Sequence, residues 1–359
     1  LLTKVLTSWG FKLNKYDRCV ANKMINGKQC TIVWHVDDLK ISHVERGVVE
    51  QIIEDLNTEF GKHKPLTGKV GLVHEYLGMT LDYSSKGKLK IRMDDYTEKL
   101  LSECPEFFDG EAPTPAANNL FTVRGDSKSY KIPEDQADEF HRITAKLLFL
   151  SLRARPDILT AISFLCTRVS NPDIDDRHKL RRVIRYLRAN PKLHLTLESD
   201  NVASMQWFVD ASYGVHPDMR SHTGAVMTMG KGAVISGSNK QKLNTKSSTE
   251  AELVGVDDYM AKILSVRYFT EDQGYPVGTT TVHQDNQSTI LLEKNGPASS
   301  SKRTRHINIR YFFVTDRVNK KEIKIEYCPT KEMVADFFTK PLQGCLFYKL
   351  RALILNMDA

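Results

Sequence analysis

The chain has 359 residues, enough for two or three domains each with its own core. With 41% hydrophobic and 26% charged residues it falls among ordinary globular proteins, and away from disordered or fibrous classes. A formal net charge of +7 suits a nucleic-acid partner, but enzymes of many kinds share it, so it decides little alone.

The six cysteines (Cys19, Cys30, Cys104, Cys166, Cys328, Cys345) lie far apart, with neither zinc-site spacing nor a disulfide framework, and a reducing compartment is the default reading. No apolar run reaches the roughly 18–20 residues of a membrane span, and the N-terminus lacks a signal-peptide pattern. The expectation is an intracellular protein with no membrane partner. The sequence opens on Leu1 and runs at once into LLTKVLTSWGFKL, which reads as the interior of a longer protein.

In chain order, Leu2, Val5, Leu6 and Trp9 recur at helical spacing. Two β-rich stretches, Cys19 to Met24 and Cys30 to His35, flank Asn26-Gly27, a strong hairpin signal. A helix is predicted from Arg46 to Phe60, then two short strands over residues 76–83 and 88–92. Prolines 105, 113, 115 and 133, with Gly110 and Gly125, punctuate a polar stretch read as a linker or extended tether. Residues 136–190 read as helical. There Leu180, Val183, Ile184 and Leu187 form an apolar stripe, with Arg181, Arg185 and Arg188 on another face. Those arginines are either a solvated face or a phosphate-tracking surface. Asp173, Asp175 and Asp176 stand at the start of that helix, where they suit its dipole.

From about Gln206 the pattern becomes three strands, a helix, a strand, two helices, a strand and a helix. That order predicts a mixed sheet with helices on both faces. Four acids fall where such a sheet would gather them. Asp210 ends the run Trp207-Phe208-Val209, and Glu252 lies in the first turn of a long helix. Asp285 follows a strand, and Asp336 starts the last helix. Each has a bland alternative as a turn former or helix cap, and Ser247 with Glu250 fits a capping box as well as Thr249 with Glu252 does. Taken together, the order and context favour a metal-binding set. Hydrolysing a phosphodiester in line calls for an activated water and a neutralised leaving oxygen, which two magnesium ions roughly 4 Å apart supply.

The strings FVDASYG, SSTEAEL, DNQS and ADFFTKPL, in this order, resemble the ribonuclease H domain of copia-type LTR retrotransposons, and SKRTRHINIRYFF looks like that family's own signature. The resemblance implies a five-stranded mixed sheet with helices on both faces. It also implies catalytic, metal-binding roles for Asp210, Glu252, Asp285 and Asp336, with Glu250 the rival for the second place. Many ribonucleases H carry a histidine before the last acid; here CPTKEMVAD has none, which implies slow turnover. His283 and His306 are nearby in sequence.

The string TIVWHVDDLKIS is a strand–turn–strand pattern with Asp37-Asp38 at its tip, either a plain acidic turn or a cation site. It resembles the palm hairpin of a reverse transcriptase, where an aromatic-x-Asp-Asp motif binds catalytic metals. GFKLNKYDRCV, EYLGMTL and FHRITAKLLFLSLRARPDIL look like palm, thumb and connection segments of the same family. His35 stands where the family has tyrosine, and no aspartate matches the upstream metal-binding strand, so the polymerase site is expected to be incomplete.

The organisation implied is α/β (α+β): residues 1–104 the C-terminal part of a palm, 105–135 a linker, 136–200 a helical thumb/connection, 201–350 the ribonuclease H domain and 351–359 a tail. The function implied is two-metal cleavage, with Mg2+ or Mn2+, of the RNA strand of RNA–DNA hybrids. Ser212, Asn286, Lys302, Arg303 and Arg305 are candidate hybrid contacts. Partners implied are nucleic acid and the rest of a Pol polyprotein, in a cytoplasmic particle or the nucleus. The alternatives are an inactive nucleic-acid-binding remnant and, more weakly, an integrase-like nuclease of the same fold.

Overall fold

The computed structural model describes residues 1–125, 131–199, 204–296 and 308–357. α1 (Leu2–Ser8) precedes four antiparallel strands, β1 (Lys12–Leu13), β2 (Val20–Ile25), β3 (Lys28–His35) and β4 (Asp38–Ser42), which lie side by side in that order. The β2–β3 turn falls on Asn26-Gly27, with φ of 52° and 71°, the geometry a two-residue hairpin needs. α2 (Arg46–Phe60) covers this sheet through Ile52 and Leu56, which pack with Leu6, Phe11 and Ile32.

β5 (Val73–Tyr76), β6 (Met79–Asp82) and β7 (Lys88–Arg92) form a second antiparallel meander. The single strand expected over residues 76–83 is instead a hairpin. Leu77 and Gly78 take φ of 52° and 77° and reverse the chain, and only the glycine does so without strain.

α3 (Asp94–Ser102), α4 (Glu134–Ser151), α5 (Leu159–Cys166) and α6 (Ile174–Ala189) follow. α6 starts on a capping box: Asp173 accepts from the Asp176 backbone N–H at 2.8 Å, while Asp176 accepts from that of Asp173 at 3.1 Å. β8 (Leu195–Ser199), a strand the sequence pattern does not announce, returns to pair with β7.

The C-terminal sheet comprises β9 (Gln206–Ser212), β10 (His222–Thr228), β12 (Ile235–Lys240), β13 (Thr280–Gln284) and β14 (Ile323–Tyr327), while the short β11 (Gly230–Lys231) pairs with β8 instead. Its spatial order is β12-β10-β9-β13-β14. β9 and β12 flank β10 antiparallel, and β13 runs parallel to both β9 and β14. The interspersed helices are α7 (Ser248–Asp272), α8 (Gln287–Asn295), α9 (Asn308–Asn319) and α10 (Gly344–Leu355). The fold is thus mixed α/β, as expected.

Strand alternation divides the sheet's side chains between two cores. Trp207, Val209, Ala225 and Met227 face α7, whose Val256, Met260 and Ile263 pack on them. Val226 and the half-buried Phe208 face the other way, into a core shared with α4, α5, α6 and α10. The helical region is therefore the second cover of this sheet, with no gap between them.

A buried polar network locks that cover. Arg155 holds Asp157 through two bonds of 2.9 and 2.8 Å, Tyr186 of α6 donates to Asp157 at 2.7 Å, and Arg351 of α10 donates to Tyr186 at 3.0 Å. Phe108, Ala112, Ala116 and Leu120 are buried in the same core, so this part of the expected linker is a packed strap, its prolines shaping a path along the surface of α6. α10 runs through position 350 without a break, because Ile354 and Leu355 are core residues; the tail expected from 351 belongs to that helix. Among the described residues no helix is long and apolar enough to cross a membrane.

Candidate active site

Asp210 lies on β9, the central strand, and is 2% exposed. Its cross-strand partner on β10 is Gly224. A Cβ at Gly224 would lie 2.8 Å from the Ala335 carbonyl oxygen and 2.7 Å from Thr339 Cγ2, so the missing side chain lets residues 334–339 press onto the sheet. That segment is a short 3-10 turn (Val334–Phe338), not the start of the last helix as the sequence suggested. It delivers Asp336 and Thr339 to Asp210. Thr339 donates a short hydrogen bond to Asp210 Oδ2.

Glu252 sits near the N-terminus of α7 and is 5% exposed. Its rival, Glu250, occupies the cap: its backbone N–H donates to Ser247 Oγ at 3.2 Å, and its Oε2 accepts from the Lys246 N–H at 2.8 Å. Asp285 follows β13 and accepts from Thr330 Oγ1 at 3.0 Å. One carboxylate oxygen from each of Asp210, Glu252 and Asp285 can be chosen so that all three lie within 4.8 Å of one another. Glu250 is not in this group.

Asp336 stands beside the trio. Lys340 Nζ lies 2.5 Å from Asp336 Oδ1 and 3.4 Å from Asp210 Oδ2, an internal cation between the two acids. Burial, reinforced by Asp210 and Asp285, holds the Glu252 carboxyl well above the usual carboxylate range. Burial and then Asp210 raise Asp285 as well, against the pull of Thr330 and Lys340. Asp336 is raised by the same two causes, with Lys340 opposing. Burial alone would lower the Lys340 ammonium; Asp210 and Asp336 more than reverse that.

Glu252 Oε2 is buried and has no hydrogen-bond partner. A buried carboxylate with one oxygen unpartnered, on a side chain gathered with two further carboxylates, is a costly arrangement without a cation. A hard divalent ion wants an all-oxygen donor set of this kind, so the residues present fit magnesium or manganese.

Other expected contributors have local partners. Asn286 caps α8 by accepting from the Thr289 N–H at 3.2 Å, and Ser212 donates to the Thr339 carbonyl at 3.2 Å. His283 stacks on Phe208 at 4.4 Å and bonds Gln206 at 2.7 Å, a bracing position between β13 and β9. Lys302, Arg303, Arg305 and His306 lie outside the described residues. The contributors that sequence reasoning missed are Lys340, Thr339, Thr330 and Gly224. Of these, only the glycine inside a strand carried a signal of close approach.

Asp37 and Asp38 are exposed at the β3–β4 turn, beside Val36 with φ of 54°. Among the described residues no group of three metal-binding side chains includes them. Asp38 and Asp17 both bear on Tyr76, whose hydroxyl is raised first by burial and then by these acids.

Relatives span almost the whole sequence. It is 26% identical over 336 residues, 90% of the chain, to the retrovirus-related Pol polyprotein from transposon TNT 1-94 of Nicotiana tabacum. It is 28% identical over 317 residues, 87% of the chain, to that from transposon RE1 of Arabidopsis thaliana. A putative transposon Ty5-1 protein of Saccharomyces cerevisiae matches at 27% over 234 residues, 65% of this chain and 73% of that one. The chain is thus homologous to copia-type retrotransposon Pol proteins, and it spans 24% and 21% of the two plant polyproteins. No family model matches it. Among solved structures, the foamy viral protease-reverse transcriptase in complex with RNA/DNA hybrid is similar over 87% of this chain and 37% of that one, at 12% identity and a TM-score of 0.47. LC11-RNase H1, isolated from compost, is similar over 38% of this chain and 91% of that one, at 10% identity and a TM-score of 0.29.

Proposed function

We propose that this chain is the reverse transcriptase/ribonuclease H region of a retrotransposon Pol polyprotein and that it cleaves the RNA strand of RNA–DNA hybrids. The observation that carries this reading is the convergence of the Asp210, Glu252 and Asp285 carboxylates within 4.8 Å of one another, with Glu252 Oε2 left buried and unpartnered. Asp210, Glu252, Asp285 and Asp336 would hold the divalent metals. When bound, those ions would activate water and neutralise the leaving oxygen.

The chain's own residues do the rest. Thr339 and Thr330 fix the Asp210 and Asp285 carboxylates in place by donating to them. Gly224 admits the turn that carries Asp336. Lys340 neutralises part of the acidic charge before metal arrives. In the same reading, residues 1–104 are the end of a palm, 136–200 a thumb/connection, and 201 onward the ribonuclease H domain. The Asp37-Asp38 tip is exposed and belongs to no three-ligand metal group among the described residues, which favours no polymerisation by this chain alone.

The test is a labelled RNA–DNA hybrid incubated with the purified chain in Mg2+ and in Mn2+, beside Asp285→Asn. RNA-strand cleavage that disappears in the variant is the expected result. Folded protein that binds hybrid without metal and cuts nothing in either ion overturns it in favour of an inactive binding remnant.

A further inference from the structure

A second, strongly basic feature lies away from the carboxylates. The strap of residues 111–124 and the exposed side of α6 enclose a cavity of about 590 Å³, lined by Arg124, Lys179, Arg181, Arg182 and Arg185. The acids on its wall are Glu111 and Asp175, and Asp175 is engaged by Arg124 at 2.6 Å. Two of the cations hold the wall itself. Arg182 donates to the Thr114 carbonyl at 3.0 Å and to its hydroxyl at 2.9 Å, and Lys179 donates to the Thr122 carbonyl at 2.6 Å.

Arg181 and Arg185 are different. Among the described residues neither has a carboxylate within 4.0 Å; Arg181 lies over the Phe107 ring at 4.9 Å. Arg185 Nε is buried and has no hydrogen-bond partner, and Gly110 leaves room beside it, since a Cβ there would come within 3.2 Å. A buried N–H of a guanidinium without an acceptor is costly, and the same side chain lines the cavity with no carboxylate partner among the described residues.

The strap also touches the active-site segment. Thr114 and Ala116 bond Gln343, at 2.9 and 2.7 Å, and Thr114 is the residue Arg182 holds. Gln343 is three residues beyond Lys340, so their Cα atoms are at most about 11 Å apart.

We propose that this cavity is a phosphate-binding site for a nucleic-acid strand leaving the carboxylate cluster, with Arg181 and Arg185 donating to phosphodiester oxygens. Guanidinium forks match phosphate oxygens in pairs, and the proline and alanine wall formed by Pro113, Pro115 and Ala116 suits the sugar face of a strand. The inference rests on the hybrid-cleaving reading for the identity of the strand, but not on turnover.

The experiment is anisotropy of a labelled RNA–DNA hybrid with the full chain in EDTA, across a salt series. Arg181→Gln/Arg185→Gln is compared with Lys28→Gln/Lys86→Gln, which removes equal charge from exposed positions elsewhere. The cavity pair is expected to lose roughly tenfold in affinity and about two units of salt slope, and the control pair almost nothing. Equal effects in the two variants overturn the proposal. Should the double variant melt early, Arg185→Lys serves: affinity falls a few-fold with the slope kept, and an unchanged affinity overturns the proposal. Tight inorganic phosphate binding with no effect on hybrid reassigns the cavity to a small anion and also overturns it. Wild-type protein that binds no hybrid sinks the functional reading itself, a different outcome from wild-type binding that the cavity variants leave intact.

Discussion

Two sets of acids in the molecule, the Asp37-Asp38 tip and the Asp210 cluster, differ in almost every physical respect. Asp37 and Asp38 are neighbours in sequence, exposed at the tip of a hairpin, with water available to both. Asp210, Glu252, Asp285 and Asp336 come from a strand, a helix, a strand end and a turn across more than a hundred residues, and the buried ones are 2–6% exposed. Adjacent acids on a solvated turn cost little and so imply little. Buried acids brought together from remote positions cost several kcal/mol in desolvation and repulsion, a cost that the divalent cation proposed above would offset.

The contrast is broken most directly by cleavage assays on matched substitutions. Asp210→Asn is expected to lower RNA-strand cleavage by about a thousandfold or more, the scale of several kcal/mol of lost metal stabilisation. Asp38→Asn is expected to change it by less than about twofold. A loss of cleavage in Asp38→Asn would place the tip in the working site and remove the distinction.

How much of this was legible beforehand differs along the chain. The Asn26-Gly27 hairpin, the α2 boundaries and the order of elements after Gln206 follow from local periodicity and turn chemistry, which a sequence displays. β8 was not legible, because its reason to be a strand is the edge of β7, about a hundred residues earlier. The strap was misread because prolines signal irregular backbone, and irregular backbone can still bury Phe108 and Leu120. The four acids were nameable as a set, but the lysine between two of them was not. Lys340 looks like any helix-flanking cation until the Gly224 contact folds its turn over Asp210.

Stability gives a second, smaller contrast. Glu252 has a folded value raised above the ordinary 4.5, so its protonated form favours the fold. Its contribution is full below the unfolded value and is lost as pH rises through the raised folded one. Metal-free protein should therefore weaken over that window, and Glu252→Gln should flatten the curve and add about 1 kcal/mol at neutral pH. Asp38→Asn should move stability by no more than about 0.5 kcal/mol. Denaturant melts in EDTA from pH 4 to pH 8 check this. A Glu252→Gln protein that is less stable than wild type at neutral pH contradicts the repulsion argument. The same variant should also lose most of the stabilisation that Mg2+ gives the wild type, since a bound ion acts only on the folded state.

The smallest effect separates acids that await a cation from acids that already have one. Lys340 neutralises the Asp210–Asp336 side of the cluster, whereas Glu252 Oε2 has no partner. Because Lys340 is 39% exposed, its attraction is screened and amounts to less than about 1 kcal/mol. A metal drawn to Asp336 must displace that ammonium. Lys340→Met is therefore expected to lower the Mn2+ concentration at half-saturation by about two- to fivefold in calorimetric titration without nucleic acid. The Asp37-Asp38 tip has no such internal competitor, and Lys40→Met, removing the lysine nearest it in sequence, should leave the titration unchanged. A Lys340→Met protein that binds Mn2+ more weakly than wild type would mean that the lysine organises the carboxylates for metal and does not compete with it.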